Sequence, residues 1–183
     1  MRIAVLALQG AFEEHRQMLQ RLGVETFEVR KLADWQQPMD GIILPGGEST
    51  AMMRIMKDEA LAEPIRQAIG EGLPVFGTCA GMILLDDQHL CCMDITAKRN
   101  AYGRQLGSFQ TEHEMKGIGK VPMVFIRAPY IERLGDEVEV LSALDGHVVA
   151  ARQQNMLACS FHPELTQDIR VHQYWLSSVV SNR

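Results

Sequence analysis

Apolar residues along this chain recur at two periods, and each switch between the periods marks an element. Ile3 to Leu8 is a continuous apolar run, the pattern of a strand covered on both faces. It stops at Gln9-Gly10. From Ala11 the spacing becomes helical, with Phe12, Met18, Leu19 and Leu22 on one side and Glu13, Glu14, Arg16 and Gln17 on the other, until Gly23 ends it. Val24 to Val29 reads as a second strand, so the N-terminus is a β-α-β unit, which favours a parallel sheet with crossover helices. Asp34 to Gln37 is polar and reads as a loop. Gly41 to Leu44 predicts a short buried strand running into Pro45-Gly46-Gly47-Glu48-Ser49-Thr50 and a methionine-rich helix, Ala51 to Lys57, with Ser49 or Thr50 as its cap. A helix over Leu61 to Ile69 ends at Gly72, the apolar run Leu73 to Phe76 reads as another buried strand, and Met82 to Leu85 as the start of a further helix.

Beyond Leu85 the periodicity weakens. Asp86 to His89 reads as a solvated connection, Cys91-Cys92-Met93 as buried, and Lys98 to Gln105 as a glycine-punctuated loop. The last third is β-rich. Val121 to Arg127 and Val138 to Leu141 are strand-like, and Val148 to Arg152 and Met156 to Phe161 form a hairpin around Gln154-Asn155. An amphipathic helix, Ile169 to Val180, follows. The pattern as a whole predicts an α/β fold with a mainly parallel sheet and an antiparallel C-terminal part.

Composition narrows the class. A chain of 183 residues with 46% apolar and 22% charged residues has enough material for one full core, so residues 1–183 read as a single domain. No apolar run approaches a membrane span, and Met1 to Leu6 enters a strand without a signal-peptide pattern, which places the protein in the cytoplasm with no membrane partner. Four cysteines, Cys79, Cys91, Cys92 and Cys159, are expected as free thiols, and none has the partner spacing of a zinc site. A net charge of −5 without a basic cluster argues against a nucleic-acid partner.

Three short segments carry candidate chemistry. Gly77-Thr78-Cys79-Ala80-Gly81 places a thiol on a tight strand-to-helix turn between small residues, as the G-x-S-x-G elbow places its serine. The Ala80 N–H then becomes a candidate oxyanion donor, and a helix N-terminus favours thiolate. A lone cysteine is otherwise a small buried hydrophobe. The Gly46-Gly47 pair after a strand suits backbone N–H groups converging on an anion. In open parallel sheets, sites form at the carboxyl ends of neighbouring strands, where both of these segments lie. His162 and Glu164 sit two apart in Ser160-Phe161-His162-Pro163-Glu164-Leu165, a spacing that lets a carboxylate orient an imidazole. Arg104 offers a fork for a carboxylate.

Taken together and in order, these three motifs resemble the class I glutamine amidotransferases. More narrowly, Leu6 to Phe12, Arg99 to Gln105 and Phe125 to Pro129 are similar to the glutaminase subunits of two-component pyridoxal 5′-phosphate synthases, over nearly the whole chain. The resemblance implies a flavodoxin-like three-layer α/β/α domain that hydrolyses L-glutamine through a triad of Cys79, His162 and Glu164. It further implies glutamine held by Gly47, Glu48, Ser49, Arg104, Ile126 and Arg127, an oxyanion held near Gly47 and Ala80, and Gln9 and Gly10 near a partner interface. That partner is a (β/α)8-barrel synthase subunit in a hetero-oligomer, and no cofactor falls to this chain. Two features depart from the family: the segment Asp86 to Leu90 is short, and Cys91-Cys92 stands in place of a leucine-glycine type of pair. A γ-glutamyl peptidase with the same triad and a sensor-thiol α/β domain are the competing readings of the residues.

Overall fold

A computed structural model describes residues 1–99 and 108–181. Its centre is a nine-stranded sheet built around β1 (Arg2–Leu6), in which Ile3, Ala4, Val5 and Leu6 are all buried. Neighbours β2 (Glu25–Val29), β3 (Gly41–Leu44), β4 (Val75–Thr78) and β11 (Met156–Cys159) continue it in parallel, in the order β2-β1-β3-β4-β11. Counting β11 as the fifth strand, this is the 2-1-3-4-5 order of the flavodoxin-like sheet.

Past β11 the direction alternates. β10 (His147–Gln153), β8 (Tyr130–Leu134) and β5 (Ile95–Lys98) follow antiparallel, with β9 (Glu139–Leu144) also paired to β10. A separate antiparallel pair, β6 (Ser108–Met115) and β7 (Gly119–Ile126), packs beside the main sheet. The expected hairpin around Gln154-Asn155 joins β10 to β11, with Gln153 opposite Met156 and Gln154 at φ +51°.

Both faces of the parallel strands are covered, which is why their sequences are apolar without alternation. On one face Ala4, Leu6, Ile42 and Leu44 pack in one cluster with Met52 and Met56 of α3 (Ser49–Asp58), Ile65 and Ile69 of α4 (Ala62–Gly70) and Leu84 of α5 (Ala80–Leu85). On the other, Ile3, Val5, Ile43 and Phe76 join Leu19 of α1 (Phe12–Arg21) and Val171 and Trp175 of α6 (Arg170–Trp175), with Met115, Val121 and Phe125 of the β6–β7 pair. The layers are α/β/α. A π-helical turn, Leu176–Val180, continues α6 over most of the span read as one helix.

Several local expectations are corrected. Residues 34–37 are not all loop, because Leu32–Trp35 forms one helical turn, α2, whose Asp34 carboxylate accepts the N–H groups of Arg30 (3.0 Å) and Lys31 (3.1 Å). One turn is too short to show a period. Asp86 is not solvated: it is buried, accepting from the Gln88 N–H at 2.9 Å and the Ala97 N–H at 3.2 Å. Of the segment read as buried, Met93 is inside, Cys92 half-buried and Cys91 exposed. Strands β5, β6 and β8 were not legible, since β6 (SFQTEHEM) and β8 (YIERL) are half-exposed and polar.

Candidate active site

Loops at the carboxyl ends of β3, β4 and β11 meet, and their meeting is what assembles the site. After Thr78 the chain turns at Cys79, a non-glycine residue at φ +50°, ψ −107°, and enters α5. The Cys79 N–H donates to the Cys159 carbonyl at 2.8 Å, tying the elbow to β11. The flanking glycines serve close approach rather than the turn itself, whose left-handed residue is Cys79. A Cβ on Gly81 would overlap the Leu44 carbonyl oxygen, and one on Gly77 would lie 2.6 Å from the Gly81 oxygen.

From the end of β11, His162 is delivered beside this elbow, its N–H bonded to the Val124 carbonyl at 2.8 Å. A 3₁₀ turn, Pro163–Leu165, then carries Glu164 back beneath it. His162 Nδ1 lies 2.6 Å from Glu164 Oε1, and both side chains are almost wholly buried. With Nδ1 so engaged, the other ring nitrogen is left for Cys79, which lines the same cleft as His162. Burial disfavours the imidazolium, but its interactions with Cys79 and Glu164 outweigh that and push the His162 pKa up to about 10. Such an imidazolium is the natural counter-ion for a thiolate. The Cys79 sulfur also lies 4.0 Å from the Ile126 carbonyl oxygen.

The β3–α3 loop forms the facing wall. Gly46 passes so close that a Cβ there would overlap His162 Cε1. Its carbonyl accepts the Ala11 N–H at 3.0 Å, so the trans peptide turns the Gly47 N–H away from the Gln9–Gly10 segment. Gln9 Oε1 accepts the Glu48 N–H at 2.7 Å, and Gly10, at φ +89°, has no room for a Cβ beside the Gly46 carbonyl. Gln9 and Gly10 therefore brace this loop from behind.

Glu48, not Ser49 or Thr50, caps α3: its carboxylate accepts the N–H groups of Thr50 (3.1 Å) and Ala51 (2.7 Å). Those two backbone bonds hold its pKa below the usual carboxylate range. Serine and threonine are the commoner caps, which is why the sequence pointed there.

A cleft of about 710 Å³ opens above Cys79 and His162, bounded by Gly47, Glu48, Ser49, Ala80, Ile126 and Arg127, with Gln9 and Gly10 at its edge. Glu164 lies behind His162. Arg127 is another non-glycine residue at positive φ, +45°, the kind of backbone that persists where a site demands it. Arg104 lies outside the described residues. Unforeseen at the cleft is Arg99, which donates to Thr50 Oγ1 at 2.8 Å and meets His89 Nε2 at 3.2 Å. Behind the triad, His15, Thr78 and His172 are fully buried and linked to one another. His15 had a signal: it falls on the apolar stripe of α1 between Phe12 and Met18. Among the described residues no cluster of three or more His, Cys, Asp or Glu side chains is arranged to hold a metal ion, and no helix is long and apolar enough to cross a membrane.

A flavodoxin-like sheet with a thiol on an elbow, a His-Glu pair from the next strand and a glycine-rich wall defines the glutamine amidotransferase class. Comparison with known proteins agrees. The chain belongs to the SNO glutamine amidotransferase family, whose profile matches residues 5–181. It is 54% identical over 187 residues, 97% of each chain, to pyridoxal 5′-phosphate synthase subunit PdxT of Streptococcus pneumoniae (strain ATCC 700669 / Spain 23F-1). A crystal structure of a glutamine amidotransferase superposes with a TM-score of 0.91 at 42% identity, covering 98% of both chains. A chain of PurLQS from Thermotoga maritima, at 18% identity and a TM-score of 0.68, shares the fold, covering 98% of that chain and 97% of this one.

Proposed function

We infer that this chain is the glutaminase subunit of a two-component pyridoxal 5′-phosphate synthase, hydrolysing L-glutamine to L-glutamate and ammonia and passing the ammonia to a synthase subunit. One observation carries the chemistry: a thiol on a strained elbow shares its cleft with an imidazole that is held at 2.6 Å by a buried carboxylate. The near-complete match to PdxT supports the pathway. The chain acts as one domain in the cytoplasm.

In this reading the Cys79 thiolate attacks the side-chain carboxamide carbon, and the carbonyl electron pair moves to oxygen. Backbone N–H groups at Gly47 and Ala80 receive that oxyanion. His162, holding a proton on the nitrogen that faces Cys79, delivers it to the departing nitrogen, and the C–N bond breaks to give ammonia and a γ-glutamyl thioester. The same nitrogen, now bare, takes a proton from water; the hydroxide adds to the thioester, the C–S bond breaks, and glutamate leaves. Glu164 keeps the imidazole in the tautomer that both steps need. Gly47, Glu48, Ser49, Arg104, Ile126 and Arg127 position glutamine; the Glu48 carboxylate is committed to α3 and its N–H to Gln9, so Glu48 acts by shaping the wall. No cofactor is required of this subunit.

Ammonia released to water at neutral pH is protonated and lost as a nucleophile, so the product needs a receiving enzyme at the mouth of the site. A barrel-shaped synthase subunit in a hetero-oligomer fills that role, with Gln9 and Gly10, which brace the glycine wall, near the contact. The test is glutamate release from L-glutamine by the chain alone and with a purified synthase subunit from the same source. Marked stimulation by the partner is expected. No release in either condition, with Cys79 shown to be reduced, overturns the reading.

A further inference from the structure

The triad carboxylate has a second oxygen to account for. Glu164 Oε1 is bonded to His162, but Oε2, fully buried, has no hydrogen-bond partner among the described residues. A buried carboxylate oxygen without a donor is costly. His15 Nε2 approaches it, at 3.5 Å, and lies 3.0 Å from Thr78 Oγ1. His15 Nδ1 in turn lies 2.8 Å from Nε2 of His172 on α6.

Both rings are neutral at ordinary pH. Burial, followed by the fields of His172 and His162, depresses the His15 pKa well below the usual imidazole range. Burial alone lowers that of His172 to about 3. Two neutral imidazoles 2.8 Å apart share one hydrogen, and its position decides what faces Glu164. If His15 Nδ1 donates, His15 turns a lone pair toward the carboxylate, and His172 is left with an N–H on Nδ1, an atom that has no partner among the described residues. If His172 Nε2 donates, the orphaned His172 Nδ1 is an unprotonated acceptor, and His15 presents Nε2–H to Thr78 and Glu164. The second arrangement removes a repulsion and strands no buried donor.

We propose that His15 is a positioning residue for the glutaminase triad: its Nε2–H, set by the His172 contact, holds the Glu164 carboxylate that in turn orients His162 against Cys79. This rests on the glutaminase reading above. The groups facing His15 are His172 from α6, Thr78 and the edge-on Phe76 ring from β4, and Glu164 and His162 from the turn after β11. Helix α1 thus steadies the site through a residue that never meets glutamine.

Three substitutions separate this role from packing. His15→Gln can place an amide N–H where Nε2 was, His15→Asn reaches only the Nδ1 position, and His15→Leu supplies neither. Two readouts apply: glutamine kinetics, and the pH profile of Cys79 alkylation by iodoacetamide, followed on the Cys79 peptide by mass spectrometry so that the other thiols do not interfere. The second needs no glutaminase activity. Without a donor on its second oxygen Glu164 is free to swing from His162 and stabilises the imidazolium less, so the thiolate it accompanies forms only at higher pH. His15→Asn and His15→Leu are expected to lower kcat about tenfold or more with KM within about twofold, and to move the acid limb of alkylation up in pH. His15→Gln is expected to stay within about threefold of wild type in kcat and to keep the wild-type limb. Equal losses in all three, or wild-type kcat and limb in a folded His15→Asn, overturn the proposal. If His15→Leu does not fold, the Gln and Asn pair decides. A shifted limb in a chain that never hydrolyses glutamine supports the positioning and sinks the function.

Discussion

Glu164 is worth most through its charge and its 2.6 Å bond to His162, so Glu164→Gln keeps the shape of the pair and loses what stabilises the imidazolium. Its kcat for glutamine is expected to fall about 100-fold or more, and Cys79→Ala to abolish turnover while leaving the fold. Steady-state kinetics beside a thermal melt checks both; Cys79→Ala at wild-type rate refutes the thioester route. The histidines also set a pH window for stability. His162 has a folded pKa near 10, above the ordinary 6.5, so its contribution is whole below 6.5 and is lost as pH rises through about 10. His15 and His172 are depressed, His172 to about 3, so their contribution is present above 6.5 and is lost as pH falls toward 3. Resistance to denaturant across pH is therefore expected to be greatest near neutrality. His172→Phe should flatten the acid side, and an unchanged acid side would contradict this assignment.

Helix α3 begins where Glu48 takes two backbone N–H groups that have no partner within the helix. Glu48→Ala is expected to cost about 1 kcal/mol in a urea titration, whereas Ser49→Ala, with no capping bond to lose, leaves the cap intact. Sequence pattern found this helix but misplaced its cap, because propensity ranks serine and threonine above glutamate and says nothing of which side chain folds back. The α5 elbow shows the same division. Its glycines were legible, yet their reason was not: Gly81 is needed because β3 passes against it, and only a neighbour in space reveals that. Gly81→Ala is expected to lose both folded yield and activity, since the obstacle is the Leu44 backbone and cannot yield as a side chain would. A Gly81→Ala protein with wild-type Tm and kcat would show that the elbow has slack.

At the level of the molecule, one buried ring joins the core to the chemistry. Phe76 is fully buried, with its ring 6.1 Å from that of His15, 5.5 Å from His172 and 5.8 Å from Trp175. Phe76→Ala opens a cavity next to the His15–His172 pair and is expected to cost about 3–5 kcal/mol by denaturant unfolding, with glutaminase activity falling along with stability. The sheet has a corresponding division of labour. Its parallel half carries the elbow and the glycine wall, and the hairpin that returns as β11 lays His162 and Glu164 beside them.

Sequence alone determined what periodicity and composition can express: the β-α-β start, the buried strands, the β10–β11 hairpin, the elbow at Cys79, the His-Pro-Glu pair and, by resemblance, the family. These signals are local, and a chain with both sheet faces covered writes them as unbroken apolar runs. Tertiary structure alone decided that β11 pairs with β4, that the four-residue β5 and the half-exposed polar strands β6 and β8 exist, that Asp86 is inside, and that Glu48 folds back on α3. It also brought His15 and His172, from opposite ends of the chain, behind Glu164. Contacts between distant segments are set by the packing of whole layers, and no spacing within one segment encodes them.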